Sequence, residues 1–96
     1  MLFVVVAIDK DDSLALRMAT RDAHFAFVQE TGAVKLGGPF LGEQGEMTGS
    51  LIIFEAEDID AAKAWHARDP YVKAGLFATT FVKPWKATLN SVEAKF

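Results

Sequence analysis

At 96 residues the chain is sized for one small domain, which has little apolar surface to spare once its core is closed. Ten Lys and Arg stand against thirteen Asp and Glu, a formal net charge of −3 with the basic residues scattered, which disfavours nucleic acid as a partner. Without cysteine there is no disulfide framework, thiolate metal site or thiol nucleophile, and 51% hydrophobic content with eight Phe exceeds one small core's needs, so a homo-oligomer is expected.

The chain opens on MLFVVVAIDKDD, a seven-residue apolar run with no basic flank and no small-residue cleavage site. It is too short to span a bilayer, so a buried strand over 2–8 and a soluble, cytoplasmic protein are expected. DKDDS breaks the strand and offers Asp11, Asp12 and Ser13 as helix N-caps. Helical periodicity then runs from Leu14 to Glu30, with Leu14, Met18, Phe25 and Val28 on one face and Gly32 as the C-cap. AVKLGGPF (33–40) reads as a second strand ending at a Gly-Gly-Pro bend, and LGEQGEM as a polar loop. TGSLIIFEAE (48–57) is a third strand. DIDAAKAWHA (58–67) is a second helix capped by Asp58, ending before Asp69-Pro70, and YVKAG supplies one more turn. LFATTFVK (76–83) is a fourth strand, closed by Pro84-Trp85.

The order β-α-β-β-α-β predicts an α+β, ferredoxin-like domain over 1–96, with 86–96 as a C-terminal tail. Two helices cover one face of a four-stranded antiparallel sheet. Strands 1 and 3 are apolar on both faces, so a second copy packing sheet to sheet is expected to cover the other, giving a dimeric α+β barrel type of assembly.

Four residues are candidates for chemistry. Arg17 and His24, seven apart, fall within about 20° of each other on the helical wheel, at the rim of the predicted apolar face with Arg21 beside them. On pattern alone, an ordinary boundary histidine with two solvated arginines outweighs a catalytic reading. Asp69, in RDPY, is either a turn-forming residue or an acid–base partner that orients a histidine. Ser50 opens strand 3 on the face of Ile52 and Phe54; TGSLI is not a G-x-S-x-G elbow, which argues against a serine hydrolase. GGPFLG precedes no helix and so lacks the amides of a phosphate loop. His66, near the end of helix 2, reads as solvated. Two histidines with no carboxylate at ligand spacing make a metal site unexpected.

Taken together, the N-terminal strand, ALRMATRDAHFAF, GGPF, TGSLIIFEAEDIDAAKAW and DPYVKAGLFATTFVKPW resemble the YCII-related (YciI-like) family, from Met1 to about Lys86. The resemblance implies a ferredoxin-like dimer akin to the dimeric α+β barrels, which include muconolactone isomerases and cofactor-free aromatic oxygenases. It also implies a His/Asp acid–base pair in a cleft between sheet and helices, which falls on His24 and Asp69, with Arg17 and Ser50 as substrate-binding groups. One branch of the family eliminates chloride from a chlorinated hydroxyhydroquinone. The expectation is a cofactor-independent enzyme acting on a small aromatic or enolic anion by elimination or isomerisation. The alternatives are a dimer that binds a small metabolite without chemistry, and a structural dimer with a vestigial cleft.

Overall fold

Seven elements follow one another in the computed structural model, which describes residues 1–96: β1 (Leu2–Asp9), α1 (Leu14–Thr31), β2 (Val34–Leu41), β3 (Met47–Glu55), α2 (Ile59–Ala67), α3 (Pro70–Lys73) and β4 (Phe77–Trp85). The strands make one antiparallel sheet in the order β2-β3-β1-β4, the ferredoxin-like arrangement expected from the element order.

Register decides which residues share a face, because directly opposed residues point the same way. Phe3 opposes Phe54, Val5 opposes Ile52 and Val82, and Ala7 opposes Ser50 and Thr80. This face lies under the helices. Phe3, Val5, Ala7, Ile52 and Phe54 are buried against Ala62 and Trp65 of α2. Trp65 stacks on Phe54 at 4.3 Å, meets Phe27 of α1 at 5.2 Å, and donates its indole N–H to Thr31 Oγ1 at 3.0 Å. A tryptophan buried with its one donor satisfied ties α1, α2 and the sheet together.

Local signals explain most boundaries. Gly32 takes the left-handed conformation (φ 62°) and donates to Val28 O, closing α1. Asp58 accepts from the Ala61 amide at 2.8 Å and starts α2. Asp69 caps α3 in the same way, with Pro70 at the first helical position.

The structure departs from the sequence expectations in three places. First, α1 is turned by roughly a quarter turn on its axis from the predicted orientation. Leu14, Met18 and Phe25 are exposed, whereas Arg17 and His24 are its buried residues. The ends of the strands beneath the first turns of α1 carry Asp9 and Ser50, so buried polar partners set the inward face there. Phe27 and Val28 turn inward only near the helix end. Second, Gly37-Gly38-Pro39 lies inside β2 and Pro84-Trp85 inside β4. Both are edge strands, where a missing proline N–H is tolerated. Third, His66 is buried rather than solvated. Beyond β4 the tail turns at Asn90, whose side chain bonds both backbone groups of Ala94, and Phe96 reaches back to the Trp85 ring at 5.9 Å.

Candidate active site

Under α1 from Arg17 to Val28, against β2 and β3, lies a cleft of about 150 Å³. Its walls are apolar: Phe25 and Val28 from α1, Val34 and Pro39 from β2, Met47 and Ile52 from β3. Its polar end gathers Arg17, Arg21, His24, Ser50 and Tyr71. Drug-sized ligands occupy clefts of roughly 300 Å³ or more, so this one suits a smaller guest.

Two buried hydrogen-bonded pairs build the polar end. His24 Nδ1 lies 2.9 and 3.0 Å from the two oxygens of Asp69, whose Oδ1 also accepts the Tyr71 amide at 2.9 Å. A carboxylate only accepts, so the proton sits on Nδ1 and the Nε2 lone pair points away from Asp69. Tyr71 stacks on the imidazole, with centroids 4.2 Å apart and planes 16° apart, and fixes the ring's plane. The second pair is Arg17 with Asp9. Nε donates to Oδ2 at 2.8 Å and Nη2 to Oδ1 at 3.2 Å, and Nη2 also donates to Ser50 Oγ at 2.7 Å. Both side chains are less than a tenth exposed. The guanidinium carbon lies 4.7 Å from the Tyr71 centroid, so that ring contacts both Arg17 and His24.

Which atoms are free for a guest follows from an exclusion. One buried side-chain atom is both sealed and unpartnered, His66 Nδ1. Arg17 Nη1, His24 Nε2 and Tyr71 Oη also lack protein partners, so each reaches open space, and the cleft is the space their side chains line. Ser50 accepts from Arg17 and keeps its own hydroxyl proton to donate. Burial pushes the Tyr71 phenol above its usual range, with Arg17 and Arg21 opposing the rise, so it stays an O–H donor at neutral pH. One imidazole nitrogen without a protein partner thus shares a small, largely apolar slot with donors on Arg17, Ser50 and Tyr71. Such a set can accept a proton while stabilising a developing oxyanion.

Gly49 permits this arrangement. A Cβ there would strike the Ala7 carbonyl oxygen and crowd the Phe40 ring at 3.0 Å, so only glycine lets β3 lie close enough to seat Ser50 beside Arg17.

The structure brings together all four residues singled out from sequence: Arg17 bonds Ser50 and His24 bonds Asp69, with Arg17, His24 and Ser50 lining the cleft and Asp69 joined to it through His24. It adds Asp9 and Tyr71, which sequence reasoning missed. Asp9 was absorbed into the strand-breaking DKDDS, and Tyr71 carried no signal beyond following Asp-Pro. His66 lies outside the cleft lining. Its Nε2 is 2.8 Å from Thr80 Oγ1 and its ring stacks on Phe77. Burial lowers its pKa, against a smaller opposing effect from Asp69. No group of three or more His, Asp or Glu side chains is arranged to hold a metal ion. No helix is long and apolar enough to cross a membrane.

Comparison with known proteins places these features in context. The model of the YCII-related domain matches residues 1–86. Protein YciI of Escherichia coli O6:H1 is 40% identical over 95 residues, covering 90% of this chain and 97% of its own. An uncharacterised protein of Haemophilus influenzae is 37% identical over the same shares. Among solved structures, the 5-chloro-2-hydroxyhydroquinone dehydrochlorinase TftG of Burkholderia phenoliruptrix AC1100, in complex with 2,5-dihydroxybenzoquinone, superposes with a TM-score of 0.82 at 39% identity, covering 90% of this chain and 94% of that one. An antibiotic biosynthesis monooxygenase shares the fold alone, with a TM-score of 0.58 at 12% identity, over 93% of this chain and 100% of that one.

Proposed function

This chain belongs to the YCII-related domain family, and we propose that it is a cofactor-independent enzyme acting on a small, anionic, aromatic or enolic compound by proton abstraction coupled to elimination or isomerisation. The observation that carries this reading is the Asp69–His24 pair, which engages Nδ1 and leaves Nε2 of a cleft-lining imidazole without a protein partner, in a slot also lined by Arg17, Ser50 and Tyr71. TftG, named for an elimination from a chlorinated ring and bound to a ring-sized ligand, supports the substrate class.

His24 Nε2 takes a proton from the substrate, and Asp69 holds the ring in the required tautomer and faces the imidazolium that forms. The electron pair left behind moves into the conjugated system as an enolate-like oxyanion. Arg17 Nη1, Ser50 O–H and Tyr71 O–H donate to that oxygen. In an elimination the pair then expels a leaving group, such as chloride, with its bonding electrons. In an isomerisation the imidazolium returns the proton to another carbon. Neither course needs an oxidant.

The second part of the proposal is a homodimer through the open sheet face. Val4, Val6 and Ile8 share that face with Leu36, Leu51 and Phe81, and Ile8, Leu36 and Phe81 are 46, 47 and 44% exposed in a single chain. Several adjoining strands of apolar side chain in water favour a matching cover, and a second copy supplies one. Sedimentation of the purified protein is expected to give a dimer, and Phe81→Glu a monomer. A wild-type monomer at micromolar concentration would sink this part.

The functional reading is tested by offering 5-chloro-2-hydroxyhydroquinone and following chloride release and the quinone spectrum. Turnover supports the elimination reading. Saturable binding of 2,5-dihydroxybenzoquinone without turnover across catechols, lactones and quinols contradicts an enzyme and leaves a binding protein.

A further inference from the structure

α1 presents three basic side chains to the cleft, and their states differ. Arg17 is countered by Asp9 through two hydrogen bonds and is almost wholly buried. His24 is held by Asp69. Arg21 lies four residues after Arg17 and three before His24, on the same side of the helix, and lines the cleft half-buried. It enters no ion pair. Its guanidinium lies 5.1 Å from the Phe25 centroid, so the side chain rests on an apolar ring that forms one wall of the slot.

Charge balance separates the two arginines. Asp9 cancels Arg17, and Asp69 leaves the cleft with one excess negative charge whenever His24 is neutral. An anion entering such a site would be repelled, and Arg21 is the lining group that cancels this excess and offers an unpaired cation at the contact. Arg17 can offer directed hydrogen bonds from Nη1, but its net charge is already spent on Asp9. Arg21 keeps both its charge and its planar fork for a guest. Its guanidinium also acts on the Tyr71 phenol, which places it within electrostatic reach of the polar end.

We propose that Arg21 is the specificity-determining residue of the cleft, binding an ionised oxygen of the substrate while the ring lies between Phe25, Val28 and Pro39. This rests on the reading of the cleft as a substrate site. The guest it selects is a small planar molecule carrying an ionised phenol, enol or carboxylic acid, and neutral rings of the same size are not selected. Arg17 belongs to the polar end as a neutralised hydrogen-bond donor, and Arg21 supplies the attraction.

The test is calorimetric titration of wild-type protein, Arg21→Gln and Arg21→Lys with two probes. One is 2,5-dihydroxybenzoquinone, ionised at neutral pH because its hydroxyls are conjugated to carbonyls; the other is hydroquinone, uncharged at that pH. Arg21→Gln is expected to weaken binding of the anion by about tenfold or more, the worth of one charge-assisted contact. Hydroquinone affinity should stay within about twofold across the variants, and added salt should weaken anion binding in wild type more than in Arg21→Gln. Arg21→Lys should recover part of the loss. Equal anion affinity in wild type and a folded Arg21→Gln overturns the role of Arg21 and leaves the cleft as the substrate site. Absence of anion binding to wild type overturns the cleft reading and this inference together.

Discussion

His24 and His66 are buried to nearly the same degree, 8% and 6% exposed, each on a helix packed over the same sheet face. Their polar surroundings are opposite. His24 places Nδ1 on a carboxylate, lines the cleft and keeps an Nε2 that is neither partnered nor sealed. His66 places Nε2 on the Thr80 hydroxyl and has Nδ1 sealed with no partner. One site joins a charged partner to an accessible lone pair, so it can exchange a proton with a guest and stabilise the resulting charge. The other has no access, and burial outweighs the pull of Asp69, so its environment opposes protonation. Burial is common to both and carries no information about function. What separates them is where the second nitrogen points.

The largest effect that sharpens this contrast is on turnover. His24→Ala and Asp69→Asn are each expected to lower kcat by at least about 10²-fold, the usual contribution of a placed acid–base group. Far-UV circular dichroism should remain unchanged, while His66→Leu stays within about twofold of wild type. If His66→Leu matched His24→Ala in activity loss, the contrast between the two histidines would collapse. Asp9→Asn addresses the other buried pair. It leaves the largely buried Arg17 charge without its carboxylate, and urea denaturation should show a loss of about 3–5 kcal/mol. A loss below about 1 kcal/mol would mean that Asp9 does not counter Arg17.

The smallest effect is on the pH dependence of stability. The folded-state pKa of His66 lies below its ordinary value of 6.5, because burial disfavours the charged form. The unfolded chain therefore binds this proton first as pH falls, and proton uptake favours unfolding. His66 contributes a decline in stability that starts near pH 6.5 and ends once pH drops below the depressed folded value. His66→Leu should flatten this segment of the stability profile. An unchanged slope would show that His66 is not the titrating group.

The elements were largely legible in sequence because their signals are local. An apolar β-branched run, an aspartate before an amphipathic stretch and a glycine after one each act through neighbouring backbone, and β1, α2 and the end of α1 formed as those signals dictate. The orientation of α1 was not legible. Periodicity ranks faces by apolar content and would bury Met18 and Phe25, but the inward face was decided by Asp9, Ser50 and Asp69, which are distant in sequence and attract Arg17 and His24. The same non-local cause hid Asp9 and Tyr71. His66 was misjudged because its neighbours in sequence are helix-end residues, while its burial comes from Phe77 and Thr80 across the fold. Helical spacing did place Arg17 and His24 side by side, and the resemblance to a family supplied Asp69 and Ser50. Proximity in space joined them.

The most direct test of the central claim is the tautomer of His24, read by two-bond ¹H–¹⁵N correlation on uniformly ¹⁵N-labelled protein. The account predicts a neutral His24 with the proton on Nδ1 and a bare Nε2, converted by Asp69→Asn to the opposite tautomer or a mixture. A wild-type His24 with its proton on Nε2, or a spectrum indifferent to Asp69→Asn, would contradict it.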